Sequence, residues 1–164
     1  MTSYFGRKSL VQPYEPTING NRYTISFAAS VAASGIVNLQ LKTGAATCVI
    51  LDWVVGSTAQ PLTAEAIESP TITDGTTAIA PYNNNRQSSK MPVTLFYTDP
   101  TGVSGGTTIL SEAISGTKGL GGDISEGYAW VLKTNTSYVW QITNVGNQTT
   151  QISGHIAFTE SILP

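Results

Sequence analysis

Charged residues are scarce in this chain. Only 11% of its 164 residues are Asp, Glu, Lys or Arg, whereas an ordinary soluble domain has about 25%. A free monomer normally keeps a well-charged surface because charge maintains solubility. The sequence therefore predicts a surface that is either neutral and polar, rich in Thr, Ser, Asn, Gln and Gly, or covered by other subunits.

Several other features are missing, and each absence argues against a class of protein. The net charge is -2 and the longest basic run is Arg7-Lys8, which argues against a partner made of nucleic acid. No segment approaches the roughly eighteen apolar residues of a membrane span. The first residues show no apolar core of a secretory signal, and the single cysteine, Cys48, cannot form an internal disulfide framework. We therefore expect synthesis in the cytoplasm and no membrane partner.

Residues for catalysis or metal binding are also few. The only histidine, His155, and the only cysteine, Cys48, are too few nitrogen and sulfur ligands for a zinc site. We predict that His155 is a surface or interface residue and that Cys48 is a small buried one. The segment Gly102–Gly106 matches the G-x-S-x-G pattern, but a turn precedes it and no helix follows, so it is not a nucleophile elbow.

The acidic residues give no stronger signal. Glu65/Glu68 and Asp123/Glu126 form two carboxylate pairs, but nothing in the sequence places either pair across a cleft as glycoside hydrolysis requires. Calcium ligands are conceivable at Asp74, Asp99 or Asp123, yet no D-x-D-x-D-G run is present. We expect a protein that is not an enzyme and that has no metal and no cofactor.

The pattern that is abundant is alternation of apolar and polar residues with a period of two. It occurs in the segments "YTISFAASV", "IVNLQLK", "SYVWQITN" and "QISGHIAFTE", whereas "TCVILDWVVG" is almost continuously apolar with Asp52 as its exception. Roughly eight to ten such short segments, separated by turn signals, predict an all-β antiparallel sandwich. The strand count favours a jelly roll over residues 21–164.

Three local features complete this prediction. Residues 62–67 lie between Pro61 and Pro70 and could form a short helix. Asp74-Gly75 is typical of a β-hairpin turn. The tryptophans lie within predicted strands and are expected in the core: Trp53, Trp130 and Trp140.

The first 20 residues differ from the rest. Pro13 and Pro16 favour extended backbone, and the apolar residues follow no period. We interpret residues 1–20 as an extended arm, which is either a frayed terminus or a segment that docks on a partner. The candidate contact residues of a docking arm are Tyr4, Phe5, Arg7, Lys8 and Tyr14.

The segment "PYNNNRQSSK", residues 81–90, separates two predicted strands. Asparagine tolerates left-handed backbone and caps turns with its own side chain, so the segment is predicted to be a long turn. The alternative is a contact between subunits, because Arg86 can donate two parallel hydrogen bonds to a neighbour. The candidate residues are Tyr82, Asn83, Asn85 and Arg86.

Four segments together resemble a known family. They are "NNNR" with its following serine pair, "YTDPTGVSGGTTI", "VLKTNTSYVWQITNVGN" and "ISGHIAFTE". Over about residues 22–160 the chain is similar to the jelly-roll head decoration (cement, or auxiliary capsid) proteins of tailed bacteriophages. The residues that match the family's C-terminal pattern are Leu132, Lys133, Asn135, Thr136, Tyr138 and Ile142–Asn144. The chain departs from that pattern at residues 157–160, which read Ala-Phe-Thr-Glu instead of a Trp-Tyr-Glu-like run.

The resemblance implies a virion protein on the outer surface of the head. It implies a homotrimer that holds neighbouring major capsid protein subunits together, with an N-terminal arm reaching onto the capsid. A different hypothesis is a trimeric receptor- or glycan-binding domain of a phage fibre or spike, binding through loops near Tyr82, Gly102–Gly106 and Gly116–Gly122. A carbohydrate-binding module of another assembly is a third.

Overall fold

The structure is a computed structural model that describes residues 15–116, 122–123 and 129–161. Within these ranges it has one turn of α-helix and fourteen strands. Their bounds are α1 Glu15–Ile18, β1 Arg22–Val31, β2 Ile36–Lys42, β3 Thr47–Ser57, β4 Leu62–Glu68, β5 Thr71–Thr73, β6 Thr77–Ile79, β7 Tyr82–Asn83, β8 Leu95–Thr98, β9 Thr101–Ser104, β10 Thr107–Ile114, β11 Gly122–Asp123, β12 Trp130–Val131, β13 Ser137–Asn144 and β14 Thr150–Ser161.

Two antiparallel sheets contain most of these strands. The front sheet has the order β3–β14–β1–β7, with β11 and β12 both paired to the free side of β3. The back sheet has the order β10–β4–β13–β2–β8–β6. The chain passes from the front to the back sheet between β1 and β2 and between β3 and β4, and it returns from the back to the front sheet between β13 and β14. This strand order is that of a jelly roll, so the predicted all-β sandwich is confirmed.

The core lies between the two sheets and follows from the alternation in the sequence. Inward side chains of both sheets form one cluster of buried residues, among them Ile25, Trp53, Trp140 and Ile156. The rings of Trp53 and Trp140 meet edge to face with centroids 6.0 Å apart, a favourable geometry for aromatic pairs. Trp130 is half-buried and packs against the same cluster. The prediction that the tryptophans pack in the core is therefore confirmed.

The segment between β4 and β10 crosses the outer face of the back sheet. The side chain of Gln40 points outward from β2 yet is fully buried, because its amide donates to Asp74 Oδ1 (2.7 Å) and accepts from the Gly75 backbone N–H (2.9 Å). Val139, beside it on β13, is also fully buried. Part of this sheet face is thus occupied by the chain itself.

Two local predictions in this region are wrong. Residues 62–67 are not helical but belong to β4, which pairs with β10 on one side and β13 on the other. Pairing on both sides outweighs the weak helix propensity of the segment. Asp74-Gly75 is not the turn of a hairpin, because β5 pairs with β9 and β6 pairs with β8.

The chain enters the sandwich through α1. Residues 1–14, which include the arm candidates Tyr4, Phe5, Arg7, Lys8 and Tyr14, lie outside the described residues. Residues 15–18 are helical, so the prediction of extended chain up to residue 20 is wrong there. The cause is Gly20, whose φ of 70° lets Asn21 N–H donate to the Pro16 carbonyl (2.8 Å) and Gly20 N–H to that of Thr17 (3.0 Å). These two bonds form a Schellman motif, a common helix ending.

Candidate functional site

A broad groove lies on the outer face of the front sheet, with a volume of about 940 Å³. Its floor consists of outward side chains in rows across β1, β14 and β3. Thr24, Ala157 and Asp52 form one row, and Ser26, His155 and Val54 form the next. In the third row, Ala28 and Ser153 lie beside Gly56. The floor is open in part, because Ser26, Ala28 and Ser153 are exposed, whereas Ala157 is buried.

A β-bulge brings Asp52 into this groove. Ala157 pairs with Asp52 but the next residue, Phe158, pairs with Ile50, so Leu51 has no direct partner on β14. The extra residue changes the alternation of β3. As a result Ile50 and Trp53 are both buried in the core, while Asp52 faces outward. Bulges commonly redirect a side chain in this way.

Asp52 and His155 form a pair on the groove floor. His155 Nε2 lies 3.2 Å from Asp52 Oδ2, and the two side chains are 40% and 27% exposed. Asp52 Oδ1 and Arg22 Nε are both buried and have no hydrogen-bond partner among the residues described. The groove thus offers one acid, one guanidinium and one imidazole within a neutral surface. The one sign of this group of side chains in the sequence is Asp52, an acidic residue within an otherwise apolar strand.

The Asp52–His155 pair does not form a catalytic triad with the described residues. The only hydrogen-bond contact of His155 within the described ranges is Asp52, so no hydroxyl lies where the imidazole could activate it. The exposed position of His155 agrees with the sequence prediction. Cys48 is fully buried, as predicted, and this burial raises the pKa of its thiol to about 12.

The asparagine loop, residues 81–90, is attached to α1 by its side chains. Asn83 is buried, and its amide donates to the carbonyls of Gly20 (2.9 Å) and Lys90 (3.0 Å). The Asn85 amide donates to the carbonyl of Ile18 (2.9 Å). The amides of both asparagines therefore bind within the chain. Tyr82 remains 59% exposed, with the Arg86 guanidinium carbon 5.8 Å from its ring centroid.

An exposed apolar patch follows this loop. Met91, Val93 and Leu95, here called the apolar patch, are 66%, 50% and 49% exposed. Its backbone is held by the buried carboxylate of Glu160, which accepts hydrogen bonds from the N–H groups of Val93 and Thr94, both at 2.7 Å. The adjacent Lys90 Nζ donates to the carbonyl of Asn19 (2.8 Å). The apolar patch is therefore a fixed surface beside the point where residues 1–14 join the domain.

The residues that carry the family resemblance support the turn between β12 and β13. Lys133 N–H donates to Tyr138 Oη (2.9 Å), and that hydroxyl donates to Glu68 Oε2 (3.0 Å). Lys133 Nζ lies 2.6 Å from Glu68 Oε1, and this hydrogen bond is the main cause that lowers the pKa of Glu68. Burial raises the pKa of Tyr138 to about 12. Asn135 takes a positive φ of 50° in the same turn. The contacts of these residues stabilise the turn, and we assign none of them to a binding site.

The remaining site candidates do not converge. Asp74 is engaged by Lys42 Nζ at 2.6 Å and by Gln40, and these hydrogen bonds, that of Lys42 first, lower its pKa. No group of three or more His, Cys, Asp or Glu residues that could hold a metal ion occurs in the described ranges. In those same ranges no helix is long and apolar enough to cross a membrane.

Comparisons with family models, curated proteins and solved structures find no match to this chain.

Proposed function

We propose that this protein is a structural virion protein, a decoration protein that binds the outside of a phage head as a trimer and stabilises its shell. The observation that carries the proposal is the apolar patch. Met91, Val93 and Leu95 expose apolar surface on a rigid segment, and a soluble protein gains free energy when such surface is buried against a partner.

The position of this patch relates it to the N-terminal residues. α1 begins at Glu15 and is tied to the asparagine loop and to Lys90 through Ile18 and Asn19. Residues 1–14 therefore join the domain next to the patch. Their aromatic and basic residues, Tyr4, Phe5, Arg7, Lys8 and Tyr14, could contact the same partner. The partner in this proposal is the major capsid protein.

Such a protein needs no catalytic group to act. Copies that bind the assembled shell but not its dissociated subunits stabilise the shell by mass action. Three linked copies multiply weak individual contacts through effective concentration. In this proposal the protein is made in the host cytoplasm and ends on the outer surface of the virion.

The test is co-sedimentation of the purified protein with expanded, undecorated phage heads, with compact proheads as the control. We expect saturable binding to expanded heads alone. Deleting residues 1–14 removes the arm but keeps α1 and its contacts, and it should weaken binding. M91S should also weaken it, whereas V145S, which changes an exposed valine (53% exposed) in the turn after β13, should not. Absence of binding to either kind of head would refute the proposal.

The second candidate is a trimeric receptor- or glycan-binding domain of a phage fibre or spike. The observation that favours it is the groove on the front sheet, with its Asp52, His155 and Arg22 side chains. The two candidates use different surfaces, so separate variants can test them.

A further inference from the structure

We infer that the groove on the front sheet binds a neutral glycan, held by Asp52, His155 and Arg22. This inference rests on the second candidate function and is independent of shell binding. It places the ligand on a sheet face, whereas the sequence hypothesis uses loops near Tyr82, Gly102–Gly106 and Gly116–Gly122.

The first argument is the hydrogen-bonding character of the groove. Asp52 supplies acceptors and Arg22 supplies donors. The imidazole of His155 has one nitrogen beside Asp52, which leaves the other for a ligand. Ser26 and Ser153 add exposed hydroxyls that both donate and accept. A ligand that matches this mixture must donate and accept at closely spaced points, which is the property of a sugar with several hydroxyl groups.

The second argument is the unpaired polar atoms. A buried donor or acceptor without a hydrogen-bond partner is destabilising, and such atoms call for an explanation. Within the described residues, Asp52 Oδ1 and Arg22 Nε are both in this state. The χ2 torsion of an aspartate is broad, so the carboxylate can turn and accept a ligand hydroxyl. A bound sugar would satisfy groups that this sheet face leaves without partners.

The third argument is charge. Arg22 and Asp52 line the same groove, and their formal charges cancel when His155 is neutral. A phosphate or a sulfate would meet the carboxylate of Asp52, and an organic cation would meet Arg22. A neutral ligand meets neither penalty. This balance distinguishes a neutral glycan from the anionic ligands that basic clusters bind.

The fourth argument is an aromatic ring on the same sheet face as the groove. Tyr82 on β7 pairs with Thr24, so its side chain lies on the same outer face, and its ring is 59% exposed. An amphipathic aromatic ring beside polar side chains suits the apolar C–H face of a sugar. Apart from Val54, the floor residues of the three rows are small or polar.

The experiment uses the single histidine as its reporter. His155 gives one set of imidazole signals in a ¹H–¹³C NMR spectrum, because the chain has no other histidine. The full chain is titrated with maltotriose, cellotriose, chitotriose and lactose, and with sialyllactose as the anionic comparison. We expect at least one neutral sugar to shift the His155 signals in a saturable way.

Two variants and a control make the result specific. D52N removes the charged acceptor. S153W places a large side chain in the floor row that contains Ala28 and Gly56 and leaves the net charge unchanged. Each should weaken sugar binding at least tenfold, measured by the sugar's own saturation-transfer signals. E65Q removes one carboxylate from β4 in the other sheet and should leave sugar affinity unchanged. None of the three should alter binding to expanded heads, so failure here is distinguishable from failure of the decoration proposal.

Three outcomes would overturn the inference. One is that no neutral sugar shifts the His155 signals. Another is a shift caused by sialyllactose alone, which would mean an anion site. The third is a shift that depends on protein concentration without sugar, which would mean that this sheet face is a contact between copies.

Discussion

Several charged side chains in the described part of the chain have defined partners. Lys42 pairs with Asp74, Lys133 pairs with Glu68, and His155 lies beside Asp52. Glu160 is buried and accepts from two backbone N–H groups. The buried Glu160 fixes neighbouring segments to one another, whereas exposed pairs such as Lys42–Asp74 contribute little stability. The positions of the individual charges therefore explain how segments of the chain are held together, which the net charge does not.

Glu68 should make the stability of the protein depend on pH in the acid range. Its pKa in the folded protein lies below the ordinary 4.5, first because of the hydrogen bond from Lys133. On acidification the unfolded chain takes up the proton first, so the free energy of unfolding falls as pH decreases through and below 4.5. We expect the wild type to lose more stability between pH 6 and pH 3 than E68Q does.

Urea unfolding at a series of pH values checks this prediction. E112Q is the matched control, because Glu112 lies on β10, the strand that pairs with β4. The curve of E112Q should run parallel to that of the wild type. An E68Q curve with the slope of the wild type would contradict the prediction.

Cys48 should be unreactive in the folded protein. Its side chain is fully buried, and burial raises its thiol pKa to about 12, so almost no thiolate forms at pH 8. A chromogenic disulfide reagent should label the chain in guanidinium chloride but not in buffer. Because the chain has one cysteine, the unfolded protein is its own control. Labelling at similar rates in both conditions would contradict the prediction.

At the scale of elements, the strands with a regular alternation of apolar and polar residues could be predicted from the sequence. The segments whose conformation is decided by pairing with distant strands could not. β1, β2, β13 and β14 were predictable because their inward residues follow a period of two. β4 was not, since its small residues suit a helix equally well and only pairing with β10 and β13 decides. The segment after β4 was also misread, because its strands pair with residues far along the chain.

The candidate site was less predictable than the fold. Asp52 stood out in the sequence, but the bulge that turns it toward His155 comes from the register between β3 and β14. Arg22 joins them only because β1 lies beside β14. Register between strands that are about 100 residues apart in sequence is set by the packing of the whole sandwich. No local pattern contains that information.

Asn144 should be essential for the end of the sandwich where two connections meet. It is fully buried, and its amide donates to the carbonyls of Ala32 (2.9 Å) and Gln148 (2.8 Å). It therefore joins the β1–β2 turn to the β13–β14 turn. N144D would place a charged oxygen against these carbonyls, and we expect a loss on the order of 3 kcal/mol or more.

Urea unfolding at pH 7 measures this loss. N147D is the control, because Asn147 is exposed in the same turn, and its effect should stay within about 0.5 kcal/mol. Lowering the pH should restore part of the stability of N144D as the new carboxylate becomes protonated. Equal stabilities of N144D and N147D would show that the two turns do not depend on this amide.

At the scale of the whole molecule, the two sheets have different outer surfaces. The back sheet is partly covered by the segment between β4 and β10, which contacts the buried Gln40. The front sheet is open and forms the groove, and the apolar patch lies on the segment that leads into β8. The groove and the patch are thus two separate surfaces of the described part of the chain. Because the two surfaces are separate, the proposed trimer can contact the shell through the apolar patch while its grooves stay accessible to a ligand.

The last prediction concerns the number of copies. We expect a homotrimer, because the low charge of 11% and the exposed apolar side chains of Met91, Val93 and Leu95 suit a molecule whose surface is partly covered by its own copies. Light scattering at micromolar concentration should give about three times the chain mass of 17.3 kDa. Because burial of apolar surface drives such association, the mass should persist at high salt. A monomer mass would exclude the trimer from the proposed function. The apolar patch would then be assigned only to contact with the shell.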